Sequence, residues 1–124
     1  MIYLTAEDVI RLNQRFIGPG GLMEGSLLDS AVGRPQATLG AVDAYPTVHD
    51  KTAALFHSLI RNHAFINGNK RTAVVAAGTF LKLNHYRLLL TDEEMIELAT
   101  DTAEGALDVP GIAKRFAEAT EPIP

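Results

Sequence analysis

The densest polar cluster of the chain is HAFINGNKRTA, residues 63–73, and a long apolar run follows it at once. Its residue types suit group transfer. His63 is the side chain best fitted to accept a proton near neutral pH. Asn67-Gly68 turns the chain, because glycine takes a positive φ without steric cost. A helix is expected to start near Asn69, with its first backbone N–H groups unpartnered and the positive end of its dipole there. Lys70 and Arg71 fall in that first turn, where cations are disfavoured, so an anion is expected to offset them. A phosphate fits. Lysine supplies a point charge and arginine a planar fork, which suits a polyphosphate better than one carboxylate. Gly68 is expected to let the ligand approach the backbone, and Phe65 to anchor the loop in the core. The chemistry indicated is phosphoryl or nucleotidyl transfer, with His63 deprotonating an attacking hydroxyl. The spacing is not that of a Walker A loop, G-x-x-x-x-G-K-[ST].

Each assignment has a plainer counterpart. A histidine near two cations is also an ordinary surface feature. Asn69 can bind phosphate or cap the helix. Arg61, two residues before His63, can reach a phosphate or lie on the surface. His49, His57 and His85 stand outside the cluster and read as surface or interface residues.

The elements that must position these residues read as helices. Thr5 can cap a helix over about 6–17, with Asp8 at its third position. Gly18-Pro19-Gly20-Gly21 stops it. Ser26, with Asp29, can cap a second helix that Pro35 kinks or ends. Residues 40–49 read as a loop or small β-hairpin. A third helix is expected over 50–62, where Leu55, Phe56, Leu59 and Ile60 form an apolar stripe. His63 then falls at its C-terminal end. A fourth, over 70–84, is apolar nearly all round and is expected to be the central core helix, with Phe80 inside. YRLLL, residues 86–90, can be extended. Thr91 and Glu94 form a capping box for a helix over about 92–103. Asp108 or Val109 begins the last helix, with Pro110 in its first turn. The fold expected is an all-α bundle of about six helices, with room for a small β-hairpin near residues 40–49.

Composition narrows the function. The 124 residues suggest a single domain over 1–124. The net charge of −4 argues against a broad nucleic-acid-binding face, which needs clustered Lys and Arg. The absence of cysteine excludes disulfides and cysteine-ligated zinc and fits a cytoplasmic location. MIYLTAEDVI lacks the basic region of a signal peptide. No apolar stretch is long enough to span a membrane.

H-A-F-I-N-G-N-K-R-T resembles the signature of the Fic/Doc superfamily, in the death-on-curing (Doc) branch, whose pattern runs roughly H-x-F-x-[DN]-[AG]-N-K-R. MIYLTAEDVIRLN looks like that family's opening helix and GGLMEGSLLDSAVGRPQATLG like its second. FLKLNHYRL looks like the end of its core helix. The resemblance implies a compact bundle of about six helices and a transferase using ATP and Mg²⁺. The larger branch, with a motif like H-P-F-x-[DE]-G-N-G-R-x-x-R, transfers AMP to protein hydroxyls. Here Lys70 replaces a glycine of that motif and Val74 its second arginine. Both departures favour the Doc-type reaction, in which the γ-phosphate of a reversed nucleotide is transferred. The resemblance makes His63 the general base, places the nucleotide at Gly68, Asn69, Lys70 and Arg71, with Arg61 as a further candidate, and puts Asn67 where most relatives carry a magnesium-binding acid. An amide adds no negative charge, so weaker metal dependence or slower chemistry is expected.

The implied biology is a toxin of a type II toxin–antitoxin pair that phosphorylates translation elongation factor Tu. Its partner would be a Phd-type antitoxin whose C-terminal segment lies as a helix in a groove, with residues 35–50 as one wall. Two alternatives stay open: an AMP-transferase, or a catalytically weak binding module serving as co-repressor. TDTAEG, residues 100–105, also fits the loose [ST]-x-x-x-E-[GN] pattern of an inhibitory helix in some Fic proteins. Its Glu104-Gly105 equally fits an ordinary helix end.

Overall fold

The computed structural model describes residues 1–19 and 21–124. The Gly20 position of the expected Gly-Pro-Gly-Gly stop lies outside the described residues. Among the described residues six helices carry the fold: α1 Ala6–Phe16, α2 Gly25–Gly33, α3 Val48–Asn62, α4 Asn69–Leu83, α5 Asp92–Ala103 and α6 Val109–Glu118. A 3₁₀ turn, Arg34–Gln36, follows α2. Two small antiparallel pairs complete it. β1 Thr38–Leu39 pairs with β2 Val42–Asp43, and β3 Tyr86–Leu88 pairs with β4 Thr120–Pro122.

Side-chain caps set most helix starts. Thr5 with Asp8, Thr47 with Asp50, and Thr91 with Glu94 each form a complete capping box, and Asp108 caps α6. Backbone and hydroxyl donors from the capping threonines hold the Asp8 and Glu94 carboxyls below their ordinary pKa values. The Thr47–Asp50 box starts α3 two residues before the expected boundary. Ser26 is not a cap. Glu24 takes that position with no side-chain cap bond, and Ser26 Oγ donates to Glu24 Oε1 at 2.9 Å. Tertiary pairing places the chain here, because the N–H groups of Met23 and Glu24 both reach Ala64 O, at 2.9 and 3.1 Å.

The expected hairpin exists but is shifted to 38–43, with Gly40 at φ 64° in its turn. Lys51, only 3% exposed, clamps it to α3. Its Nζ donates to Tyr45 O at 2.5 Å, Asp43 Oδ2 at 3.2 Å and Pro35 O at 3.4 Å.

The centre of the bundle is α3, not α4. It packs on α2, α4, α5, α6 and the 3₁₀ turn. Ten of its fifteen residues are buried, against eight of fifteen in α4. Phe56 on α3 meets Phe116 on α6 edge-on at 5.5 Å. Phe65 and Phe80 are fully buried, as expected. The last turn of α3 and the first of α4 thus project from the two most buried elements, which holds the connecting loop in a fixed frame. Among the described residues no helix is long and apolar enough to cross a membrane.

Candidate active site

Two left-handed residues bracket the loop between α3 and α4. His63 ends α3 at φ 56°, ψ 50°, and Gly68 begins α4 at φ 74°, ψ 26°. A non-glycine residue held there costs on the order of 1 kcal/mol, a strain that accumulates at functional sites. Between the two, the chain folds back on itself. Phe65 is sunk in the core, and Asn69 closes a ring around its backbone. Asn69 Oδ1 accepts from Phe65 N at 3.0 Å while Nδ2 donates to Phe65 O at 2.8 Å. On the other edge Leu22 pairs with Phe65 in a β-bridge, with Ile66 N bonded to Gly21 O at 2.7 Å. The loop is therefore secured along both edges.

A groove of about 570 Å³ opens on this loop, within the usual range for ligand clefts. His63, Asn67, Gly68, Asn69, Lys70 and Arg71 line one side. Ile60 and, from α5, Ile96 and Ala103 make an apolar side. Six of the seven residues expected at the site thus share one groove. His63 and Lys70 are exposed, and Lys70 has no polar partner among the described residues. Unlike α1, α3, α5 and α6, α4 carries no side-chain cap. Its first-turn amides remain available to an anion.

Arg61, the seventh, does not line the groove. Its Nη1 donates to Ala103 O at 3.0 Å and closes the end of α5. That end is an ordinary one. Gly105 is left-handed at φ 79°, with Ala106 N bonded to Asp101 O and Gly105 N to Thr102 O. Glu104 is the C-cap of this Schellman turn. Val74, where the AMP-transferring branch has its second arginine, is buried in the core.

Two expectations change their physical basis. A Cβ on Gly68 would lie 2.5 Å from Ile17 Cγ1, so the glycine answers to its positive φ and to Ile17 packed against it. Arg71 already has an anion: Nη1 meets Asp92 Oδ2 at 2.8 Å.

The sequence reading also missed a support. Asn13 is 1% exposed, and its Nδ2 donates to Thr72 Oγ1 at 2.9 Å and, more weakly, to Asn67 O at 3.4 Å. It ties α1 to the loop and to α4. A signal was present, since Asn13 falls on the apolar stripe of Ala6, Val9 and Ile10, where a polar residue needs a buried partner. The remaining histidines lie elsewhere. His49 Nε2 bonds Thr120 Oγ1 at 2.7 Å. His57 Nδ1 faces Arg34 Nη1 at 2.9 Å. His85 is a left-handed residue just after α4.

The sequence model of the Fic/DOC family matches residues 3–81, which include the whole loop and nearly all of α4. The chain belongs to the Fic/DOC family. It is similar to a "Toxin Doc" of Mycolicibacterium smegmatis, with 46% identity over 118 residues, covering 93% of this chain and 91% of that protein. It is also similar to "Protein kinase doc" of Escherichia phage P1, with 26% identity over 117 residues and 91% of both chains covered. As a Fic/DOC protein it keeps the histidine, the turn and the basic helix start together in one groove. Among the described residues no three His, Cys, Asp or Glu side chains converge to hold a metal ion. Asn67, exposed on the groove, offers a cation an amide oxygen and no negative charge.

Proposed function

We propose that the chain is the toxin of a type II toxin–antitoxin pair and a Doc-type protein kinase. ATP with Mg²⁺ is the donor and a hydroxyl of elongation factor Tu the acceptor. One observation carries the reading: an exposed His63 shares a groove with the uncapped start of α4 and with Lys70, which is unpaired among the described residues. The first-turn amides, Lys70 and Arg71 bind the phosphates. His63 takes the proton of the acceptor hydroxyl as its oxygen bonds to the γ-phosphorus. The bond from that phosphorus to the β–γ bridging oxygen breaks, and ADP leaves. The similarity to a toxin and to a protein kinase supports both halves of the proposal.

A second reading, AMP transfer, is disfavoured by Lys70 and by the buried Val74. A third, a weakly catalytic co-repressor, draws support only from Asn67. The antitoxin partner is proposed to be of the Phd type and to lie along the 35–50 segment, where Leu39 and Val42 form an exposed cross-strand pair. The chain acts as one domain in the cytoplasm and leaves DNA binding to that partner.

The decisive experiment is intact-mass spectrometry of elongation factor Tu after incubation with the protein, ATP and Mg²⁺. One phosphoryl increment with the wild type and none with His63→Ala is expected. An adenylyl increment would establish the second reading. Full toxicity of His63→Ala in cells would establish the third.

A further inference from the structure

Arg71 is the third helical residue of α4 and Asp92 the first of α5. Their ion pair joins the rim of the groove, which Arg71 lines, to an adjoining depression lined by Asp92, Glu93, Ile96 and Glu97. Ile96, one turn beyond Asp92 on the same face of α5, lines that groove, as does Arg71 itself. The contact is a single one, Nη1 to Oδ2. Nε and Nη2 of Arg71 have no protein acceptor among the described residues. Both side chains are well exposed, at 42% and 72%, so the pair is weak and exchangeable. Release leaves neither Asp92 nor α5 disrupted. Asp92 stays at a helix N-terminus, where a carboxylate is favoured, and the Thr91–Glu94 box holds that end independently.

We propose that Asp92 is an internal stand-in for nucleotide phosphate, occupying Arg71 in the free protein and giving it up on binding, so that Asp92 sets the nucleotide affinity. This rests on the reading of the groove as a phosphate site. A carboxylate brings one negative charge to the guanidinium, whereas a triphosphate brings several and can engage the fork in two bonds. Binding is thus an exchange of anions on Arg71, and its net gain is reduced by the strength of the pair it breaks. The contact also holds the Arg71 side chain beside the groove in the free protein.

Calorimetric titration with magnesium ATP, and separately with inorganic tripolyphosphate, tests this on the wild type, Asp92→Asn and Glu93→Gln. The same acid substitutions are then made together with Arg71→Ala. Asp92→Asn is expected to tighten both probes by roughly two- to fivefold. Glu93→Gln, which removes the same charge one residue away, is expected to do less. With Arg71→Ala in place the Asp92→Asn effect should vanish. Equal tightening in that background would reduce Asp92 to a through-space repulsion and overturn the exchange. Unchanged or weaker binding of Asp92→Asn, while Arg71→Ala still weakens the wild type, would overturn it too and leave the phosphate site standing. Failure of the wild type to bind either probe would remove the phosphate site and the exchange together. Thermal melting of each variant confirms that the fold is intact.

Discussion

His63 and Gly68 hold the same backbone conformation for different reasons. His63 ends α3 in the left-handed region and stays exposed at the groove, as the proton acceptor proposed above must be. Replacing it with alanine is expected to lower phosphoryl transfer by about 10²- to 10⁴-fold while changing folding stability by less than about 1 kcal/mol, read by mass increment and by denaturant melts. Gly68 is constrained twice, by φ 74° and by Ile17 within 2.5–2.9 Å of any Cβ. Gly105 shares the conformation, at φ 79°, but its nearest obstacle is Arg61 Nη1 at 3.7 Å, an ordinary contact. Gly68→Ala should therefore cost roughly 1–3 kcal/mol and Gly105→Ala about 1 kcal/mol in urea unfolding. Equal losses would contradict the role given to Ile17. The need for glycine at 68 was legible from the Asn-Gly pair. Its second cause was not, because Ile17 lies far away in sequence. Asn67 offers a last test at this scale. If the missing charge limits magnesium binding, Asn67→Asp raises the proposed phosphoryl transfer at limiting Mg²⁺, and an unchanged rate refutes it.

At the scale of elements, helix starts divide by what fills them. Threonine or aspartate side chains close α1, α3, α5 and α6, and these signals were readable wherever Thr preceded an acid by three residues. The Thr47–Asp50 box has the same pattern and moved the α3 boundary to where the pattern puts it. α4 is different, being held from outside by Asn69 on Phe65 and by Asn13 on Thr72 and Asn67. Asn13→Ala leaves the Thr72 hydroxyl and Asn67 carbonyl without this donor in a buried setting, at about 1–3 kcal/mol. Transfer activity is expected to fall with it, because the loop loses its tie to α1. Asn13→Asp, which matches the shape but cannot donate when ionised, should fail to rescue. Restored activity in that variant would show that shape alone suffices.

For the whole molecule, α3 at the centre makes its polar residues into cross-links. Arg34 binds Tyr45 Oη, Ser58 Oγ and His57 Nδ1 at 2.8–2.9 Å, joining the 3₁₀ turn, the following loop and α3. Because the guanidinium can only donate, His57 Nδ1 must accept, so the ring is neutral with its proton on Nε2. Burial first, then Arg34 and Arg61, hold the His57 pKa below its ordinary 6.5, against a smaller opposing pull from Asp108. Burial also lowers His49. The unfolded chain then binds protons more readily than the folded one, so stability is full above pH 6.5 and is lost as pH falls below it. Denaturant midpoints should decline on going from about pH 7 to about pH 5, and His57→Gln should flatten that slope. An unchanged slope would remove His57 from this role.

By itself the sequence determined the local and periodic features: six helices, the threonine caps of three of them and the aspartate cap of a fourth, the buried Phe65 and Phe80, and the residue types of the loop. These follow from interactions within a few positions along the chain. Only the tertiary structure decided that α3 rather than α4 lies at the centre, since apolar content does not say how many neighbours a helix meets. It also decided that Ser26 caps nothing, because Ala64 anchors the chain ahead of α2, and that Arg61 closes α5 outside the groove. The pairing of Arg71 with Asp92 was hidden for the same reason. An exposed acid at a helix start is common in any sequence, and only packing α5 beside α4 brings that carboxylate to the guanidinium.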